Sequence, residues 1–257
     1  MNEAEAFSEV FAALIGAKAL TLVERLIVLP ETASTQDAAR AMQPGGGGFA
    51  VLAMRQTSGR GRQGRQWADT LGLGLPVTIV LDAAKVDLEG LSIRVGLGVC
   101  IASEAALNGQ RLGLRWPNDV VEPLVPRRKV AGVLIEQAGT AMLIGVGVNV
   151  LQSLSDWPDE LQARAVSLRE LGSGMQRPQV LAEVLLGLQR ALAMSDHEVC
   201  EEWAARDVLR DGRSTFVHAN QRYSGLVTRI SPTSHLELLL DSGETVILPA
   251  RTTSLVH

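Results

Sequence analysis

The sequence predicts an α+β fold: a mixed central sheet flanked by helices, with a small β barrel appended at its C-terminal end. Up to about residue 205, strand-like apolar runs alternate with segments of helical period. After Asp207 the character changes to RSTFVHA, RYSGLVTRI, HLELLLD and ETVILP, short strands at close spacing separated by turn signals. The length of 257 residues, 46% hydrophobic and 20% charged, suits one large core and a small extra unit. The expected units are therefore 1–206 and 207–257.

In chain order, Phe7, Val10, Phe11, Leu14 and Ile15 lie on one helical stripe. Leu22 to Leu29 reads as a strand that stops before Pro30, and Ser34 with Asp37 as a capping-box start for a short helix. Pro44 and Gly45 to Gly48 make a turn, Phe49 to Arg55 a buried strand, and Leu75 to Leu81 its successor. Leu88 to Leu107 reads as a core helix despite its glycines, with Leu91, Val95, Val99 and Ala102 aligned. Leu112 to Trp116 is a short strand broken at Pro117, which cannot donate to a ladder, leaving Asp119 at a strand edge. There the carboxylate suits Mg²⁺ or the orientation of a neighbour, and equally an Asx-turn. Arg127-Arg128-Lys129 opens the strand VAGVLIEQ, which turns over Ala138 to Thr140 into AMLIGVGVNV. Gly145 and Gly147 within that strand suggest close approach of a ligand or of another backbone. Residues 150–175 read as loop with a short helix from Pro158, and Val180 to Ala205 as one long amphipathic helix.

Arg55 to Trp67, RQTSGRGRQGRQW, carries four arginines, three glycines and no acid in a chain of net charge −4. Glycines let backbone approach a ligand, and guanidinium forks match carboxylate and phosphate. A solvated loop or an RNA-touching segment would have the same composition, but stacking on RNA calls for aromatics between the arginines, and only Trp67 is present. A pI near 5.6 argues against a general nucleic-acid binder. Cys100 and Cys200 suggest no disulfide framework, and the acidic start and lack of a membrane-length apolar run point to the cytoplasm. The four histidines are isolated, without metal-ligand spacing. No catalytic triad or P-loop is present. Clustered cations without a nucleophile suit a reaction whose difficulty is bringing anions together, such as carboxylate attack on the α-phosphate of ATP.

GRGRQGRQW (Gly59 to Trp67), RWPNDV (Arg115 to Val120), RRKVAGVLIE (Arg128 to Glu136) and IGVGVNV (Ile144 to Val150) resemble, in order and spacing, four signature blocks of bacterial biotin–protein ligases. Ser34-Thr35-Gln36 resembles that family's first biotin contact. The resemblance implies a class II synthetase-like catalytic domain with an SH3-like C-terminal barrel. It implies formation of biotinyl-5′-AMP from biotin and MgATP, then transfer to a lysine of a biotin carboxyl carrier protein. By the same resemblance Ser34, Thr35 and Gln56 would hydrogen-bond the ureido ring and adjacent groups. Gly59, Arg60, Gly61 and Arg62 would close over the ligand, the arginines meeting carboxylate and phosphate. Trp67 would pack over it, or be plain core. Lys129 would stabilise charge in the transition state, Asp119 would serve Mg²⁺ or pyrophosphate departure, and Asn149 the adenine. Gly132 and Gly147 would leave room. Arg115 stands where many relatives have lysine, which keeps the charge and changes its geometry. About thirty residues precede Ser34, too few for the winged helix of the family's repressors, so the expectation is a ligase without DNA binding. Relatives can dimerise edge to edge through the central sheet. Residues 58–66 are expected to be mobile before ligand binds, with nothing to order them.

Overall fold

The computed structural model describes residues 2–42, 48–68, 72–88, 90–231, 235–249 and 252–256. The expected turn over Pro44 to Gly47 and the proline of the Ser231-Pro232 turn lie outside them. The body runs α1 (Glu3–Gly16), β1 (Arg25–Thr32), α2 (Thr35–Ala41), β2 (Phe49–Gln56), a small hairpin of β3 (Gly59–Arg60) and β4 (Gln66–Trp67), β5 (Gly74–Asp82), α3 (Leu91–Ala106), β6 (Gly113–Arg115), β7 (Asp119–Val121), β8 (Lys129–Ala138), β9 (Ala141–Asn149), α4 (Asp159–Gln162), α5 (Arg177–Ala193) and α6 (Asp196–Ala204). It is followed by β10 (Arg213–His218), β11 (Gln221–Ile230), β12 (His235–Leu240), β13 (Thr245–Pro249) and β14 (Thr253–Leu255).

Seven strands form a mixed sheet in the order β1-β2-β5-β9-β8-β7-β6, parallel only between β1 and β2. Strand alternation gives that sheet two unlike faces. Leu75, Val77 and Ile79 of β5 and Ile144, Val146 and Val148 of β9 join the main core with residues of α1, α3 and α5. The alternate positions, Pro76 and Thr78 on β5 and Gly145 and Gly147 on β9, carry small or short side chains. At the closest point of the α3–α5 packing a Cβ on Gly98 would lie 2.8 Å from the Gly187 carbonyl oxygen, and one on Gly187 2.4 Å from that of Gly98. Gly98 of α3 is thus required by the helix packing rather than tolerated by it, whereas a Cβ on Gly96 would meet only ordinary contacts of 3.5 Å and more.

The sequence expectation differs from the structure in four places. Pro30 lies inside β1 and not beyond it; β1 is an edge strand, where a missing N–H costs no ladder bond. The helix expected over Val180 to Ala205 is two helices, broken at Met194, because Ser195 and Glu198 form a reciprocal capping box that starts α6. Ser34 stands at the N-cap of α2 but makes no side-chain cap bond there. The C-terminal unit is a five-stranded antiparallel sheet in the order β13-β12-β11-β10-β14, open in its described pairings where a barrel was expected. Residues ahead of Ser34 are integral to the body: Phe7 of α1 is fully buried, and β1 pairs with β2.

A buried ionic network sets β6 against the helices. Arg206 donates to Glu104 of α3 through Nε (3.0 Å) and Nη2 (2.8 Å), while Leu112 N–H donates to Glu104 at 3.1 Å. Burial alone would lower the Arg206 guanidinium, but bonds to Glu104 and Glu202 outweigh it and hold it above its ordinary value. Leu114 N–H in turn donates to the Arg206 carbonyl at 2.7 Å. Glu104→Ala should leave the buried guanidinium with Glu202 as its one carboxylate partner among the described residues, and cost about 3 kcal/mol. Urea unfolding followed by tryptophan fluorescence measures this, and an unchanged midpoint would show that the network does not anchor the body.

Candidate functional site

The site lies over the small-residue face of the sheet. Register places Asp119 of β7 opposite Gly132 of β8, Gly132 opposite Gly147 of β9, and Gly147 opposite Pro76 of β5. This row crosses four strands with one charged side chain at its end and almost nothing along it. The indole of Trp67, delivered by β4, rests on the row: a Cβ on Gly147 would lie 2.5 Å from its Cε2. A Cβ on Gly132 would lie 2.6 Å from both Cε and Nζ of Lys129. Lys129 therefore lies across Gly132, with its ammonium 5.5 Å from the Trp67 ring centroid.

A charged cluster closes one end. Lys129 Nζ is 2.6 Å from Asp119 Oδ1, and Arg115 Nη2 donates to Asp119 Oδ2 at 3.0 Å. Burial alone would raise the Asp119 carboxyl, but the Lys129 ammonium and the Arg115 guanidinium together hold it below the ordinary carboxylate range. Both its oxygens are therefore engaged by cations. Among the described residues no group of three or more His, Cys, Asp or Glu is placed to hold a metal ion. The metal role expected for Asp119 thus finds no preformed protein cage around it. Asn149 does not line the cavity. Its Nδ2 donates to the Lys129 carbonyl at 2.9 Å and to the Val166 carbonyl at 3.3 Å, so it fixes the start of β8.

A polar corner closes the other end. The Thr35 N–H at the start of α2 donates to Gln56 Oε1 at 2.8 Å, so the helix is capped from outside by an amide of β2. Thr78 Oγ1 donates to Thr35 Oγ1 at 2.9 Å. Gln36 Nε2 donates to the Leu134 carbonyl and to Glu136, each at 3.2 Å, while its Oε1 is buried without a partner. Ser34 is 2% exposed, and among the described residues its hydroxyl bonds to no protein group. Buried hydrogen-bonding capacity left unused at a cavity wall marks a place for a polar ligand.

The Arg/Gly segment forms the lid of this cavity as a narrow hairpin. Gly59 is essential to it, since a Cβ there would lie 2.4 Å from Gln56 Nε2 and 2.5 Å from the Trp67 carbonyl oxygen. Gly59 itself is not among the residues that line the cavity. Contrary to the expectation that nothing orders this stretch, Arg60 pairs with Asp37 at 2.8 Å and with Glu136 at 2.9 Å. Arg62 donates to Asn118 Oδ1 at 3.4 Å and to the Thr253 carbonyl at 3.3 Å. Burial draws the Arg62 guanidinium below its ordinary value; Asp119 opposes that shift and Arg65 adds to it.

Of the residues singled out from sequence, Ser34, Thr35, Gln36, Gln56, Arg60, Gly61, Arg62, Trp67, Arg115, Asp119, Lys129, Gly132 and Gly147 line one cavity; Gly59 and Asn149 stand behind its wall. Sequence reasoning missed Asn118, Gly61's neighbour Arg65, and above all Ser254 and Leu255 of β14. A three-residue strand carries no periodicity that could have revealed the last two.

The fold and cavity together define a mixed-sheet domain with a lidded polar cavity on one face. Residues 28–150 match the biotin/lipoate A/B protein ligase family, and the chain carries a domain of that family. It is 31% identical over 185 residues to the bifunctional ligase/repressor BirA of Bacillus spizizenii, covering 68% of this chain and 56% of that protein. It is 35% identical over 156 residues to a biotin–[acetyl-CoA-carboxylase] ligase of Mycobacterium tuberculosis, covering 58% and 56%. The matched region thus spans about half the length of these curated relatives. The biotin protein ligase of Aquifex aeolicus in complex with biotin and ATP superposes with a TM-score of 0.79 at 28% identity, over 91% of this chain and 99% of that one.

Asp119, ionised between two cations, contributes stability above the ordinary carboxyl pKa of 3.8, and that contribution is lost as pH falls through its lower folded-state value. Asp119→Asn is expected to cost on the order of 2 kcal/mol at pH 7, between the values for exposed and fully buried pairs. The difference from the unsubstituted protein should narrow in acid, and a difference that does not narrow would contradict this charge assignment.

Proposed function

We propose that this chain activates biotin with ATP as biotinyl-5′-AMP and transfers the biotinyl group to a lysine of a biotin carboxyl carrier protein. The observation that carries the proposal is one cavity joining an unsatisfied polar corner (the Ser34 hydroxyl and Gln36 Oε1) to the Lys129–Asp119–Arg115 cluster across a glycine floor. The relatives named for biotin ligation and the Aquifex complex with biotin and ATP support the same reading.

In the first step a carboxylate oxygen of biotin attacks the α-phosphorus, the P–O bond to the β-phosphate breaks, and pyrophosphate leaves. Attacking and leaving groups are both anionic, so the protein's task is to hold them together and offset their charge. Ser34, Thr35, Gln36 and Gln56 would hold the ureido end, Lys129 the reacting oxygens, and Arg62 the phosphate side. Asp119 would hold Lys129 and Arg115 in place, with Mg²⁺ arriving as part of MgATP rather than on a protein cage. Asn149, through the Lys129 carbonyl, acts here as a positioning residue. Trp67, Gly61 and Arg60 would cover the ligand. In the second step the acceptor amine attacks the acyl carbon and AMP leaves. We read 1–206 as the catalytic unit and 207–257 as an SH3-like unit that completes the cavity wall through Ser254 and Leu255, a division supported by the separate C-terminal sheet. Repression of transcription forms no part of the proposal.

Lys129→Ala should lower biotin-dependent ATP–pyrophosphate exchange by about 10²–10³-fold while leaving the far-ultraviolet circular dichroism unchanged; near-normal exchange would refute the role of Lys129. Incubation with ATP, a carrier domain and either labelled biotin or lipoate decides the substrate, and lipoylation without biotinylation would overturn the choice of acid. Arg62→Gly should release free adenylate, because the lid then loses its bonds to Asn118 and to the Thr253 carbonyl. Retained adenylate would count against that role.

A further inference from the structure

A second groove opens beside the cavity and shares Arg115 and Leu255 with it. Its polar lining is Arg115, Arg127, Arg213 and the hydroxyls of Ser214, Thr215 and Ser224, with no carboxylate among the lining residues. In a chain of net charge −4 this is a concentrated donor surface. Arg213 is already bonded to Asp241, and the Thr215 and Ser224 hydroxyls lie 2.8 Å apart. Arg115 spends one nitrogen on Asp119.

Arg127 is the unexplained member. It holds φ 60°, a left-handed conformation that costs any residue but glycine, yet an arginine stands there. Its Nε is buried without a partner, and no carboxylate lies within ion-pair distance of it among the described residues. The Asp207 carboxyl, on which it acts from farther away, is not part of the lining. A strained backbone carrying an unpaired guanidinium at the rim of a cationic groove points to an absent anion.

We propose that this groove binds a condensed inorganic phosphate, and specifically receives the pyrophosphate released in the reaction proposed above, passed from Arg115 to Arg127. The inference rests on that reading, which supplies the pyrophosphate at the Arg115 end. An acidic partner protein is the less favoured occupant. The apolar side chains exposed on the neighbouring loop, Leu124 at 77% and Val125 at 83%, do not line the groove, whereas the link to the cavity does.

The test uses magnesium pyrophosphate and the full chain. Arg127→Gly removes the guanidinium and suits the backbone, so its thermal midpoint should equal or exceed that of the unsubstituted protein. Its Kd for pyrophosphate, by calorimetry, should rise about tenfold with biotin affinity unchanged, and Thr215→Val should raise it about threefold. Arg127→Lys should restore part of the loss. A pyrophosphate Kd unchanged in both Arg127→Gly and Thr215→Val overturns the inference, as does a rise in KM for the carrier domain with pyrophosphate binding intact. Loss of exchange activity in the unsubstituted chain would instead sink the ligase reading and this inference with it. Normal exchange with an unaltered pyrophosphate Kd in the variants sinks the groove alone.

Discussion

The site depends on how little side chain the sheet places at its middle. Gly132 and Gly147 are directly opposed on β8 and β9, flanked by Pro76 and Asp119, so the sheet's front face has a bare strip where its back face is packed with Val and Ile. Backbone amide groups within a ladder are already satisfied, so such a strip costs no unpaired hydrogen bond and still admits a ring or an alkyl chain. Trp67 and the stem of Lys129 occupy it here. A methyl group at either glycine would displace the indole or the lysine, and with them the geometry of the charged cluster.

Much of this was legible in the chain because each motif carries its own reason. The glycines of β9 interrupt an otherwise ideal strand, and Arg115-Trp-Pro-Asn-Asp breaks another at a proline. What was not legible came from contacts distant in sequence. The capping of α2 by Gln56 is a bond across 21 residues, and it replaced the local Ser34–Asp37 box that the sequence favoured. Asp37 is turned instead to Arg60, and Glu136 shares that arginine with it. Local propensity could not have ranked those partners, since the acids lie on α2 and β8 and the arginine on a hairpin between them.

The break between α5 and α6 is a different failure. Its signal, Ser195 followed three residues on by Glu198, was present but lay within an apolar period that continued through it. A cap fixes where a helix starts and a stripe only where it faces, so the capping chemistry at Ser195 overrides the apolar period that continues through it.

The α3–α5 crossing also limits how this chain can change. Gly98 and Gly187 meet main chain to main chain, and each is already the smallest residue available. Where two bulky side chains meet, a gain on one helix can be matched by a loss on the other, so lineages drift through paired exchanges. Here no such trade exists, and the two positions must stay fixed independently for as long as these helices keep their spacing.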